Sequence, residues 1–275
     1  MKHRIIVNVA LCSIFAASAA VAAAQAAAPP PPPNVLVIQR EYLKPGKSGA
    51  IHVKSEGNFI KASNDAKWPT HYIAMDSMSG PTRALYMFAY DSFDAYGKDQ
   101  EAQAKNADYA AAIDAASLND GELLTRYDSQ TYVYHPEMSL HDHLDIPHQR
   151  YWQITVFHVK PGHDKEWADL VKIYTTGFAK IPEAHWAVFE SQYGEDNGGV
   201  WISVNPMRTL SEVDKGLASG KAFQTALGEA GMKHAGDLAA ACIQSVQSNL
   251  FVVNAKESYP DPAWATTAPE IYGQQ

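Results

Sequence analysis

The chain has almost no cysteine. Of its 275 residues two are Cys, Cys12 and Cys242, and Cys12 falls in a leader-like start. Removal of that start leaves one thiol and no intramolecular disulfide, so stability has to come from an apolar core. A mature chain of about 250 residues is long enough to build two such cores. Positive charge is also scarce: 22 Lys and Arg stand against 30 Asp and Glu, and the formal charge is −8. Loss of Lys2 and Arg4 with the leader would take that from −8 to −10. No cluster of Lys or Arg occurs, which excludes nucleic acid and an anionic membrane as the main partner. Phosphate-binding and dinucleotide-binding glycine loops, the Gly-x-Ser-x-Gly nucleophile turn and His-Glu-x-x-His are all missing, so nucleotide, hydrolase and zinc-protease chemistry have no local support. Beyond the leader, no apolar run approaches the length that spans a bilayer.

The first residues read as an address. Lys2 and Arg4 open it, an apolar stretch runs from Ile5 to Ala20, and Ala20-Val21-Ala22 or Ala24-Gln25-Ala26 offers a small-x-small cleavage site. The expectation is a signal peptide over 1–26 and a periplasmic or secreted protein. Leu11 before Cys12 is too large for a lipid-modification signal. Pro29 to Pro33 make 27–34 a stiff spacer that would hold the folded part away from the export machinery.

Past the spacer, the chain is one unit written twice. His71-Tyr72-Ile73-Ala74-Met75-Asp76-Ser77 returns about 115 residues later as His185-Trp186-Ala187-Val188-Phe189-Glu190-Ser191. Tyr42-Leu43-Lys44-Pro45-Gly46 matches His158-Val159-Lys160-Pro161-Gly162, and Gly121-Glu122-Leu123 matches Gly236-Asp237-Leu238, at nearly constant spacing. The sequence therefore divides into a repeat over 35–135, a linker over 136–148, a second repeat over 149–258 and an extended tail over 259–275.

Each repeat reads strand, helix, strand, strand, helix, strand. Val35 to Leu43 and Tyr151 to Val159 are β-branched and aromatic and stop at Lys-Pro-Gly, where proline cannot extend a ladder. Trp167, Leu170, Val171, Tyr174 and Phe178 share one helical face. Later strands are expected at Ala84 to Tyr90, Val200 to Asn205, Ser129 to Tyr134 and Asn249 to Val253, with Thr209-Leu210-Ser211-Glu212 opening a helix by reciprocal capping. That order is the ferredoxin-like split βαβ arrangement, an α+β class, in which helices cover one face of an antiparallel sheet. The bare face needs a partner, and a tandem copy supplies it: two ferredoxin-like βαββαβ domains with their sheets packed face to face. In this the chain resembles the dimeric α/β-barrel superfamily, and Arg40-Glu41-Tyr42-Leu43-Lys44-Pro45-Gly46 with Phe88-Ala89-Tyr90-Asp91-Ser92 resembles the pattern of NIPSNAP-type members. The resemblance implies a cavity that different members use for haem, for aromatic substrates of cofactor-free oxygenases, or for isomerisation of small acids.

Candidate residues are mostly histidines. His71 and His185 begin the same strand in both repeats, beside Tyr72 and Trp186, where imidazole serves as a ligand to iron or as a general base. Duplication of a strand-capping histidine would give the same pattern. Tyr42 and His158 occupy equivalent strand ends, and alternation puts Arg40 on the face of Tyr42; facing a cavity, Arg40 and His158 would orient a carboxylate or carbonyl, and otherwise they belong to the sheet's wet margin. His141 and His143 have His-x-His spacing suited to zinc, copper or nickel, although a polar linker gives such spacing by composition. Cys242, in an Ala-rich helical stretch, reads as a buried inert thiol.

Two functions of different class remain open. One is an exported protein that binds a small apolar or aromatic ligand in an α/β-barrel cavity. The other is a cofactor-free monooxygenase or a haem-binding or haem-processing enzyme, with haem implied only by the resemblance. Association of the chain with itself through sheet edges is a third, structural role. Divergence of the repeats at several candidate polar positions and the lack of an evident acid–base pair favour binding, with the enzyme as the alternative.

Overall fold

The computed structural model describes residues 28–194 and 199–273; the expected signal peptide lies outside the described residues. The first half runs β1 (Val35–Leu43), α1 (Ala50–Ala66), β2 (Tyr72–Ser77), β3 (Arg83–Tyr90), α2 (Phe93–Lys105), α3 (Ala107–Gly121) and β4 (Leu124–Tyr134). The second runs β5 (Tyr151–Val159), α4 (Asp164–Phe178), β6 (Ala187–Tyr193), β7 (Val200–Met207), α5 (Ser211–Cys242) and β8 (Ile243–Val253), then α6 (Trp264–Thr267) and α7 (Pro269–Tyr272). No described helix is long and apolar enough to cross a membrane.

The first strand of each half has the bounds that Lys-Pro-Gly predicts. Gly46 and Gly162 sit at φ 77° and 80°, a left-handed geometry that a side chain would strain. The later helices differ from the single helix expected per half. Ser92 Oγ accepts from Ala95 N at 3.1 Å to start α2, and Asn106 Oδ1 accepts from Tyr109 N at 3.1 Å to start α3 immediately afterwards. In α5 the break falls at Gly228, φ 67°. At the start of α5 only half of the predicted capping box forms: Glu212 Oε1 accepts from Thr209 N at 3.1 Å, while the Thr209 hydroxyl bonds Ser211.

The strands close into one antiparallel barrel in the order β1-β3-β2-β8-β5-β7-β6-β4. The halves are thus not separate sheets laid face to face. A short ladder joins Met75–Ser77 to Phe251–Val253, and another joins Thr131–Tyr134 to Phe189–Tyr193. Closure pairs one end of each edge strand with a strand of the other half. Alternation then sorts the side chains. Leu36, Ile38, Met87, Trp152, Ile154, Phe189, Ile202 and Phe251 fill the barrel, while Val35, Val37, Glu41, Phe157 and Val159 point outward beneath the helices. Each large apolar side chain sealed in the barrel stabilises by about 1.5–3 kcal/mol.

Residues 259–273 do not trail as an extended tail. Pro269, at the first position of α7, starts a helical turn rather than ending one, and Tyr272 is 1% exposed in the barrel's core cluster. The inter-repeat segment is likewise packed: Leu140 bridges Trp186, and Trp186 Nε1 donates to Met138 O at 3.0 Å. Pro29 to Pro33 lie along the barrel's mouth rather than away from it.

Candidate functional site

In the first half, the helices do not pack flush on the sheet. The outward faces of β1, β2 and β3 and the undersides of α1, α2 and α3 enclose a cavity of about 500 Å³. Aromatic residues make its walls, among them Trp68, Tyr72, Phe88, Tyr90 and Tyr109, and Trp68 stacks on Tyr109 with ring centroids 4.2 Å apart. One wall carries Asp99, whose carboxylate accepts from Trp68 Nε1 at 3.1 Å, Tyr90 OH at 3.0 Å and Thr70 Oγ1. Burial first, then Asp99, pushes the Tyr90 phenol up.

The floor is ionic. Glu41 projects outward from β1, His52 and Glu56 lie one turn apart on α1, Asp120 ends α3, and Glu257 arrives from the turn after β8. All five are buried, His52 completely. His52 Nδ1 lies 3.0 Å from Glu257 Oε1, and its Nε2 lies 3.1 Å from Glu41 Oε2 and 3.9 Å from both Glu56 Oε1 and Asp120 Oδ1. Burial works against an imidazolium here, yet the hydrogen bonds to Glu257 and Glu41 and the negative field push His52 up to about 11. Burial raises Glu41 and Glu257, and it raises Glu56 well above the carboxylate range with the help of Glu41 and Asp120. Tyr72 and Tyr86 are pushed up by burial and then by Glu56. Glu56 Oε1 and both Asp120 oxygens find no hydrogen-bond partner among the described residues.

The second half fills the same space with carbon. By the repeat's alignment Phe157 stands where the first half has Glu41, and Ala235 stands where it has Asp120. Phe157, Trp167 and Trp201 pack ring against ring there, with Leu170, Val171 and the buried Cys242 around them.

The residues singled out in the sequence fall elsewhere. Tyr42, Arg40 and His158 share the barrel's inner face at one rim. Arg40 pairs with Asp128, Arg126 Nη2 also reaches Asp128 at 2.9 Å, and the Arg126 and Arg83 guanidiniums stand over the Tyr42 ring at 5.2 and 5.8 Å. His71 is at the opposite mouth, in a hollow of about 1130 Å³ bounded by the proline run, Trp152, Phe189 and Trp264. Its ring lies 4.8 Å from that of Tyr259, and its Nδ1 is buried without a partner among the described residues. His185 is held by backbone carbonyls on both nitrogens, Pro206 O at 2.6 Å and Glu183 O at 3.0 Å. His141 and His143 each give Nδ1 to a carbonyl, of Ala184 and Pro29 respectively, and do not converge. The structure therefore does not bring His71, His185 and His158 together. The cluster that it does assemble was signalled locally only by the His52 and Glu56 pair at helical spacing and by Glu41 on an outward strand position.

Haem does not fit this cavity. Neither His, Lys nor Arg is among its lining residues, so it offers no imidazole to the iron and no cation to the propionates.

No family model matches the chain, and no curated protein matches its sequence. Solved structures do share its fold. A putative monooxygenase from Fusobacterium nucleatum subsp. nucleatum superposes with TM-score 0.51 at 13% identity, covering 81% of this chain and 93% of that one. An anthrone oxidase-like protein gives TM-score 0.52 at 16% identity over 80% and 91%. An uncharacterised NIPSNAP domain protein from Burkholderia xenovorans matches 37% of this chain and 95% of its own at 14% identity, with TM-score 0.27, a likeness too slight to decide a family.

Proposed function

We propose that this chain, which has the dimeric α/β-barrel fold, binds a small aromatic ligand in the cavity between sheet and helices of its first half. The observation that carries the reading is the asymmetry of the duplication: one half keeps an aromatic-walled cavity and the other plugs the same space with Phe157, Trp167 and Trp201. A packed interior normally leaves few voids larger than a water, so a cavity of about 500 Å³ with convergent polar groups is the mark of a ligand site. The rings of Trp68, Tyr72 and Phe88 suit a planar apolar body, and Asp99 and the floor carboxyls suit a hydroxyl at its edge.

A catalytic version of this reading, oxidation of the bound phenol or enol, is favoured by one feature. Glu41 and Glu56 are carboxyls on the cavity floor whose pKa burial raises, so they hold a proton more readily than an exposed acid would. The monooxygenase and anthrone oxidase-like neighbours share the fold and lend the reading only that. We read the halves as tandem ferredoxin-like units, in keeping with the strand orders β4-β1-β3-β2 and β8-β5-β7-β6, and place the mature chain in the periplasm or outside the cell on the strength of its leader-like start.

Quenching of Trp fluorescence by 1-naphthol and anthrone tests binding, and oxygen uptake with anthrone tests turnover. Saturable quenching that disappears in Ile113→Trp, which fills the cavity, supports the reading. Quenching that is absent, or unchanged in that variant, overturns it.

A further inference from the structure

The cavity floor holds more negative charge than its one histidine balances. Glu41, Glu56, Asp120 and Glu257 surround His52, and all are buried. Burying several carboxylates against a single imidazolium is strongly unfavourable unless protons or a further cation neutralise them. Protons alone leave a geometric mark, because a protonated carboxyl has a hydrogen to donate. Yet Asp120, 2% exposed, sets Oδ1 3.9 Å from His52 Nε2 while neither of its oxygens has a hydrogen-bond partner among the described residues, and Glu56 Oε1 is equally orphaned.

We propose that Glu41, His52, Glu56 and Asp120 form a binding site for one divalent first-row transition ion, with Glu257 as a positioning residue. The donor atoms of these four residues lie within 4.8 Å of one another. Ligands about 2.0–2.2 Å from a shared ion stand roughly 3 to 4.4 Å apart. His52 Nε2 is 3.1 Å from Glu41 and 3.9 Å from Glu56 and Asp120, separations of that size. The other nitrogen completes the pattern. Nδ1 faces Glu257 at 3.0 Å, and a carboxylate that accepts from one imidazole nitrogen fixes the tautomer that leaves the other free to ligate. One imidazole with three carboxylates selects manganese, iron or zinc in the divalent state over calcium, which takes oxygen alone. Glu41, Glu56 and Asp120 also line the cavity, so the ion would face it. Phe157 and Ala235 at the equivalent positions exclude a second site.

The site stands apart from the aromatic-ligand reading and can be tested without any organic molecule. The full-length protein, purified by its native export route and stripped with a chelator, is titrated with Co²⁺ while d–d absorption is recorded, and Mn²⁺ and Zn²⁺ then compete. The expected result is one equivalent bound, with affinity falling at least tenfold in Asp120→Asn and Glu56→Gln, and roughly 10- to 100-fold in Glu257→Gln. A His141→Ala, His143→Ala double variant should bind as wild type. Circular dichroism identifies any variant that fails to fold, and the wild-type stoichiometry holds independently of the variants. The proposal is overturned if the folded wild-type chain takes up no ion. It is also overturned if the floor variants bind unchanged, or if Asp120→Asn and Glu56→Gln raise Tm while metal leaves wild-type Tm where it was, because protons would then be the neutralising charge. Naphthol quenching persisting in chelator alongside failed ion uptake would sink this site and spare the cavity; the reverse would spare the ion site.

Discussion

Replacing His52 by leucine removes the only cation from the buried cluster while keeping roughly its volume, so the effect is electrostatic rather than a cavity. Two charge-assisted hydrogen bonds vanish, to Glu257 at 3.0 Å and Glu41 at 3.1 Å, each worth about 1.5–3 kcal/mol. Four carboxyls then remain sealed together. Protonation limits the damage, because burial already raises Glu41, Glu56 and Glu257 and they take up protons readily. The balance is a loss of about 3–5 kcal/mol, the range for deleting one partner of a buried pair. At a urea dependence of about 2 kcal/mol per molar, the unfolding midpoint of the metal-free protein falls by roughly 1.5–2.5 M at neutral pH. Equilibrium unfolding followed by far-ultraviolet circular dichroism reads this directly. A midpoint within about 0.3 M of wild type would mean that the cluster is hydrated or relaxed and that its charges do not meet as described.

Two further substitutions probe the scaffold. Tyr272 is buried in the barrel with its hydroxyl unpartnered among the described residues; Tyr272→Phe should hold or raise stability by up to about 1 kcal/mol, and Tyr272→Ala should lower it by about 3–5 kcal/mol. Calorimetry that found the alanine variant unchanged would show that α7 does not plug the barrel. Gly177 lies against Phe223, where an added Cβ would come within 2.4 Å of the ring. Phe223 is itself stacked on Tyr174 and Phe178, so Gly177→Ala should destabilise by about 1–3 kcal/mol through overpacking despite alanine's helix preference of roughly 1 kcal/mol; a raised Tm would refute that packing.

The sequence showed the first strand of each half well, caught only the later part of β4 (Leu124–Tyr134) and β8 (Ile243–Val253), and showed the site poorly, for one physical reason. Strand ends at Lys-Pro-Gly and alternation along β1 and β5 are local, so bounds and faces came from a few neighbouring residues. The same alternation that drew notice to Arg40 and Tyr42 put Glu41 on the opposite, helix-facing side, where an isolated acid reads as solvated. His52 and Glu56 share a turn, but Asp120 lies at the far end of α3 and Glu257 is 205 residues from His52 in sequence. Only closure of the barrel brings the turn after β8 against α1. The split of α2 from α3 was not legible at Asn106, whose capping role depends on the chain breaking there. The C-terminal residues fold where an extended tail was expected because Pro269 takes the first position of α7, where proline favours a helix start.

Duplication makes the two halves each other's control. Both close the same barrel and both end their first strand at the same turn, so these shared features answer to folding. The repeated histidines are held differently: His185 is fixed by two carbonyls, whereas His71 Nδ1 has no partner among the described residues. The features that differ answer to something else. A buried acid is unfavourable in any fold, and the second half avoids that penalty with Phe157 and Ala235 at positions where the first half keeps Glu41 and Asp120. Because the hydrophobic solution is compatible with the architecture, the barrel itself does not require the first half's under-neutralised cluster, and the proposed ligand and ion would account for its retention beside a cavity.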